Sequence, residues 1–131
     1  MSVERIEMDV FQQRLLAQGV EHDDFAFRCP CCGTVQSIRD FLATGIDREQ
    51  ARNLVGFSCI GRITGAGPAT RECRPQPGKT GCDWSLGGLF KIHRLEVLEA
   101  SGQVHPFFEI CAAAEARAHA NEAIRMKTAA E

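Results

Sequence analysis

Seven cysteines, at positions 29, 31, 32, 59, 73, 82 and 111, are the residues of this chain best suited to chemistry. Cys29-Pro30-Cys31-Cys32-Gly33 contains a C-x-x-C pair of zinc-knuckle form. Two sulfurs at that spacing on a tight hairpin chelate one tetrahedral ion, Gly33 permits a positive φ past the second ligand, and Pro30 stiffens the turn. No second C-x-x-C follows, so the other half of a four-thiolate site must come from separate segments. Cys59 in Phe57-Ser58-Cys59-Ile60-Gly61 and Cys82 in Gly81-Cys82-Asp83-Trp84 are the candidates, each beside glycine at an expected strand edge. Cys73 competes for the fourth place, because Cys73 and Cys82 flank a Pro/Gly-rich turn. Cys31 is spare at the tip, although a C-x-C pairing through it fits the spacing too. The plain alternative is that these thiols are small apolar residues in a reduced core. The expectation taken forward is a structural zinc ion on Cys29, Cys32, Cys59 and Cys82. Four thiolates fill a tetrahedral ion and leave no open position to activate water, so no metal-dependent hydrolysis, and no enzyme, is expected.

Other chemistries fail on spacing. Gly78-Lys79-Thr80 resembles the end of a phosphate-binding loop, but the glycine required five positions earlier is Cys73. A zinc deaminase needs His-x-Glu ahead of Pro-Cys-x-x-Cys, whereas His22 precedes Asp23 and Asp24 and the proline lies inside the knuckle. A thiol oxidoreductase would open a helix at Cys29 and Cys32, yet Gly33-Thr34-Val35 reads as a strand leaving a turn. His22, His93, His105 and His119 are expected at the surface or in hydrogen bonds, with His93 placed nearest to the site edge.

The elements that must position the cysteines follow from periodicity and caps. Asp9 and Gln12 predict a helix from Val10 to about Gln18. Phe25–Arg28 and Thr34–Gln36 predict a hairpin tipped by thiols. Ser37 with Asp40, and Asp47 with Gln50, predict two short helices ending near Gly45 and Asn53. Val55–Ile60, Trp84–Phe90, Ile92–Leu98 and Val104–Ile110 read as strands of a small antiparallel sheet, with Trp84, Leu86, Leu89 and Phe90 going to its core and Gly87-Gly88 permitting a bulge. Residues 61–81 read as a loop carrying Arg62, Arg71, Arg74 and Lys79, the one locally basic segment. The Ala-rich stretch 112–131 reads as a helix with only Ile124 and Met126 as large apolar anchors. The fold class is therefore α+β and zinc-ribbon-like, with residues 1–111 as the domain and 112–131 as a C-terminal helix.

A chain of 131 residues, 44% hydrophobic, is the size of one compact domain, and fifteen Lys plus Arg against seventeen Asp plus Glu exclude a global cationic field. Glu4, Arg5, Glu7 and Asp9 occupy the place of a signal peptide's apolar stretch, and no apolar run approaches membrane-spanning length. A reduced, cytoplasmic protein without membrane contact is expected.

Phe27-Arg28-Cys29-Pro30 leading through Cys32-Gly33-Thr34-Val35-Gln36-Ser37, Val55-Gly56-Phe57-Ser58-Cys59-Ile60-Gly61-Arg62, Thr64-Gly65-Ala66-Gly67, and Gly81-Cys82-Asp83-Trp84-Ser85-Leu86-Gly87-Gly88-Leu89-Phe90 together resemble a family of small phage- and prophage-encoded proteins that carries no assigned activity. These blocks cover most of residues 25–98. Its pattern resembles C-P-x-C-G, G-F-S-C-x-G-R and G-C-x-W-T-L-G-G-L-F. Cys29, Cys32, Cys59 and Cys82 fall on the family's cysteines, while Cys31, Cys73 and Cys111 are extras and Ser85 replaces a threonine. The resemblance implies phage origin and a cysteine-centred core, and no reaction. The functional expectation is a zinc-stabilised module docking on a host or phage protein. Its alternatives are nucleic-acid binding through the basic loop and thiol redox chemistry.

Overall fold

A computed structural model describes residues 3–86 and 92–130, with side chains through residue 122. Two three-stranded sheets and five α-helices make up the described residues. The first sheet runs β1 (Glu4–Glu7), β4 (Leu95–Leu98), β5 (Val104–Phe107), with β1 parallel and β5 antiparallel to the central strand. The second runs β3 (Val35–Gln36), β2 (Phe27–Arg28), β6 (Glu109–Ile110), antiparallel throughout. Phe108 is the point where the chain leaves one sheet for the other. It is fully buried, and its amide donates to Gly56 O at 2.9 Å.

Alternation in β4 sends Leu95 and Val97 inward, where they join Ile6, Phe11, Phe27, Phe41 and Phe108 in one core. Helix α1 (Met8–Leu16) starts two residues earlier than the caps predict, because β1 leads straight into it and Asp9 accepts only from Val10 N. Helix α2 (Ile38–Ala43) has the full capping box of Ser37 and Asp40, and Asp47 caps α3 (Arg48–Leu54) through Gln50 N at 2.8 Å.

Three expectations need correction. The single antiparallel sheet is two sheets, one with a parallel pair, because β1 reaches across the chain to β4. Val55–Ile60 is a turn whose one sheet-like contact among the described residues is the bridge Ser58 to Ser85. Residues 61–81 begin with a helical turn, α4 (Gly61–Thr64), rather than open loop. The strand expected through Phe90, the bulge at Gly87-Gly88 and the core role of Leu89 lie outside the described residues, as do the side chains of Ile124 and Met126. Helix α5 (Ala113–Ala130) is anchored by small residues instead: Ala116 and Ala120 are buried, Glu115 pairs with Arg28, and Arg117 Nε donates to Gln18 O at 3.2 Å. No helix among the described residues is long and apolar enough to cross a membrane.

Candidate metal centre

Two tight backbone devices bring four cysteines together. The β2–β3 hairpin closes its tip with Cys29 N donating to Thr34 O and Gly33 N donating to Cys29 O, both at 2.9 Å, and Gly33 takes φ 78°. This places Cys29 and Cys32 on the inner side. Opposite them, Cys59 N donates to Trp84 O at 3.0 Å and Leu86 N to Phe57 O at 2.9 Å, clasping residues 57–59 against 84–86. The clasp depends on two glycines. A Cβ on Gly61 would lie 2.3 Å from Cys82 N and 2.4 Å from Cys82 O, and one on Gly81 would lie 2.6 Å from Gly61 N and 3.0 Å from Cys59 Sγ. Bare backbone at both positions lets Cys59 and Cys82 approach.

The sulfurs of Cys29, Cys32, Cys59 and Cys82 all lie within 4.8 Å of one another, and all four residues are buried. Cys29 and Cys82 are 3.9 Å apart and Cys32 and Cys59 3.7 Å. A tetrahedral ion with metal–sulfur bonds of about 2.3 Å requires sulfur–sulfur edges of about 3.8 Å. A disulfide requires about 2.05 Å. These two separations have the length of an edge of a metal tetrahedron and not of a disulfide.

Hydrogen-bond donors also converge on the sulfurs. Cys82 N donates to Cys59 Sγ at 3.2 Å, the Gly61 amide donates to the same sulfur, the Trp84 amide donates to Cys82, and Thr34 Oγ1 lies 3.0 Å from Cys32 Sγ. Amides aimed at sulfur suit thiolate acceptors. The thiols perturb one another strongly. Hydrogen bonding from Cys29, then Cys59 and Cys82, drives the Cys32 thiol far below its ordinary value, and Cys29 leads in lowering Cys59. Bonding to Cys32 pushes Cys29 up, and bonding to Cys29 pushes Cys82 up. Four negative charges cannot share this buried volume unaided, whereas a divalent cation would allow it.

The turn that carries Cys59 is held by Gln36, a residue that no motif in the sequence singles out. It is fully buried, donates from Nε2 to Val55 O at 2.7 Å and Ser58 O at 2.9 Å, and accepts from Ile60 N at 2.8 Å. Those three bonds fix the turn that carries Cys59. The only sequence signal was a polar residue at a core-facing strand position.

The remaining cysteines fall outside the tetrahedron. Cys73 is exposed and is not among the clustered sulfurs, so it does not take the fourth place. Cys31 is half-buried with its sulfur bonded to Cys82, and burial pushes its thiol up. Cys111 is buried, and burial raises its thiol too. None of the histidines joins the cluster. His93 lies 3.1 Å from Glu96, His105 3.2 Å from Glu99 and His22 3.5 Å from Asp23. His119, expected on a solvated face, is held 2.5 Å from Asp40, and that bond raises its pKa.

Arg62, Arg71, Arg74 and Lys79 are all exposed. Arg62 Nη1 donates to Asp83 O at 3.2 Å, but no carboxylate among the described residues pairs with any of the four. The loop carrying them is ordered by Thr70 N donating to Arg74 O at 2.8 Å and Gln76 Nε2 to Pro68 O at 2.9 Å. A separate open cleft of about 520 Å³ is lined by Phe11, Phe25, Phe27, Phe57 and Phe107, with Arg52 on its edge.

A family model described as VVA0879-like matches residues 7–111, a span that includes all four clustered cysteines, and its description assigns no activity. No curated protein and no solved structure matches the chain. The chain belongs to the VVA0879-like family.

Proposed function

We propose that this VVA0879-like protein is a binding module whose small fold is closed by a structural zinc ion on Cys29, Cys32, Cys59 and Cys82, and which docks on an acidic surface of a partner protein. The zinc reading rests on the sulfur geometry: edges of 3.7 and 3.9 Å match a four-thiolate tetrahedron. A bound ion would add folding free energy on the order of 10 kcal/mol to a domain built from two small sheets. It would be fully coordinated by protein, so its role is stability and not catalysis.

The docking face is the ordered basic loop, where four exposed cations lack acidic partners among the described residues. Such a surface attracts acidic groups over several ångströms. A protein partner is favoured over nucleic acid by what lies in the adjoining chain: Phe57, 42% exposed on the edge of the apolar cleft, and Ile63, 39% exposed. Apolar anchors beside cations suit a peptide surface of aromatic or aliphatic residues flanked by Asp and Glu. The resemblance to phage-encoded proteins supports a host protein as the one that is bound.

The test compares the protein with an Arg62→Glu/Arg71→Glu/Arg74→Glu variant. Binding to acidic, Leu- or Phe-containing peptides should fall at least about tenfold with unchanged melting, whereas Phe57→Ala should lower affinity without altering its salt dependence. A salt-sensitive shift of labelled DNA or RNA that disappears with the arginines, without peptide binding, would assign the loop to nucleic acid.

A further inference from the structure

We propose that the aromatic cleft binds a small aromatic carboxylate, with its rings among Phe11, Phe25, Phe27 and Phe107 and its anionic end at Arg52. The cleft lies where several elements meet: Phe11 comes from α1, Phe27 from β2, Phe107 from β5 and Arg52 from α3. Its volume of about 520 Å³ falls within the range of about 300–1,000 Å³ that suits small organic ligands. The rings of its wall are already set as a further ring would join them. Phe11 and Phe107 have centroids 4.8 Å apart at 44°, and Phe11 and Phe27 6.4 Å apart at 33°. Tilted rings at such distances attract, so a planar aryl group entering the cleft extends the cluster. Gly56, also on the lining, makes room for two of these rings. A Cβ there would stand 2.9 Å from Phe107 Cδ1 and 3.8 Å from Phe27 Cε1, so bare backbone is what lets the Phe107 ring keep its place.

The polar groups on the lining decide which end group the ligand carries. His105 lies 3.2 Å from Glu99, whose second oxygen accepts from Ser101 Oγ at 3.2 Å, and His22 lies 3.5 Å from Asp23. These groups are engaged within the fold. Arg52 is exposed in the last turn of α3 and has no hydrogen bond or ion pair among the described residues. One uncommitted guanidinium beside an apolar hollow selects one anion on an apolar body, and its planar fork fits a carboxylate through two parallel hydrogen bonds. An amine would face Arg52 as a like charge, and a dianion would bring a second charge that no free cation on the lining matches. Phe11 and Phe27 are 8% and 5% exposed, so only a group slender enough to enter the cleft reaches them. That favours a free small molecule over a folded surface.

The site is independent of the metal centre and of the basic loop, and calorimetric titration of the whole protein with 2-naphthoate and its neutral isostere 2-naphthamide tests it. Naphthoate should bind once per chain and at least about tenfold more tightly than the amide. Arg52→Gln should bring the acid down to the affinity of the amide with unchanged melting. Gly56→Ala should weaken both probes by displacing the Phe107 ring. The Arg62→Glu/Arg71→Glu/Arg74→Glu variant should bind naphthoate as the parent does; loss of binding there would move the acid to the basic loop and overturn the cleft site. Equal binding of acid and amide, a preference that survives Arg52→Gln, or no saturable binding of either would also overturn it. A peptide ending in Phe that binds more tightly than naphthoate, and through Arg52, would assign the cleft to a protein chain and overturn the small-molecule ligand.

Discussion

Replacing Gly61 by alanine sets two opposed effects against each other at one atom. Gly61 opens α4 without a positive φ, so propensity alone favours alanine there by up to about 1 kcal/mol. The added Cβ, however, would stand 2.3 Å from Cys82 N and 2.4 Å from Cys82 O, where ordinary contact begins at 3.4 Å. The Cys82 backbone would have to retreat by about 1 Å, and backbone cannot swing aside as a side chain can. Overpacking of this kind costs about 1–3 kcal/mol, and a backbone clash belongs at the upper end, so sterics win. A metal site tolerates ligand displacements of only about 0.2 Å. Zinc affinity should therefore drop at least about 100-fold, or roughly 2.7 kcal/mol, in competition against a chromogenic chelator. Gly102→Ala is the control: its φ of 90° strains any side chain, but nothing lies within 4 Å of the new atom. It should lower stability by about 1–2 kcal/mol and leave zinc affinity alone. If Gly61→Ala binds zinc as tightly as the parent and melts higher, the contact between Gly61 and Gly81 is not what joins Cys59 to Cys82.

Gln36→Leu should destabilise the protein by about 3 kcal/mol in urea unfolding, since it strands the carbonyls of Val55 and Ser58 and the amide of Ile60 in a dry core. Serine substitutions at Cys29, Cys32, Cys59 or Cys82 should each abolish stoichiometric zinc and collapse the melting transition, whereas Cys31→Ser and Cys73→Ser should keep one ion per chain, as metal analysis would show. His119 is held by Asp40, with Glu122 and Asp24 adding to the field, so its pKa rises above the ordinary 6.5. Its contribution to stability, about 1 kcal/mol, is complete below pH of about 6.5 and is lost as pH climbs through the raised value. His119→Gln should erase that difference between urea melts at acidic and alkaline pH.

What could be read from the residues was what short-range chemistry dictates. The spacing of Cys29 and Cys32, and the glycines beside Cys59 and Cys82, identified the four sulfurs that now lie within 4.8 Å of one another. Ser37 and Asp47 announced α2 and α3 because their side chains bond amides three residues on. Strand β1 was illegible for the opposite reason: Ile6 is its one apolar residue, and its pairing is with β4, where Arg5 meets Glu96 at 2.9 Å from the far end of the chain. Val55–Ile60 has strand composition, but Gln36 takes over its backbone groups and bends it into the turn before α4. Helix α5 reads as weakly anchored because Ile124 and Met126 are its only large apolar residues, whereas the buried Ala116 and Ala120 let the helix sit close.

The central claim is that four sulfurs surround one metal ion, and X-ray absorption at the zinc edge of purified protein tests it most directly. One ion per chain with four sulfur neighbours at about 2.3 Å is the predicted result. A protein free of zinc, or one whose ion carries nitrogen, oxygen or water in the first coordination sphere, would contradict it.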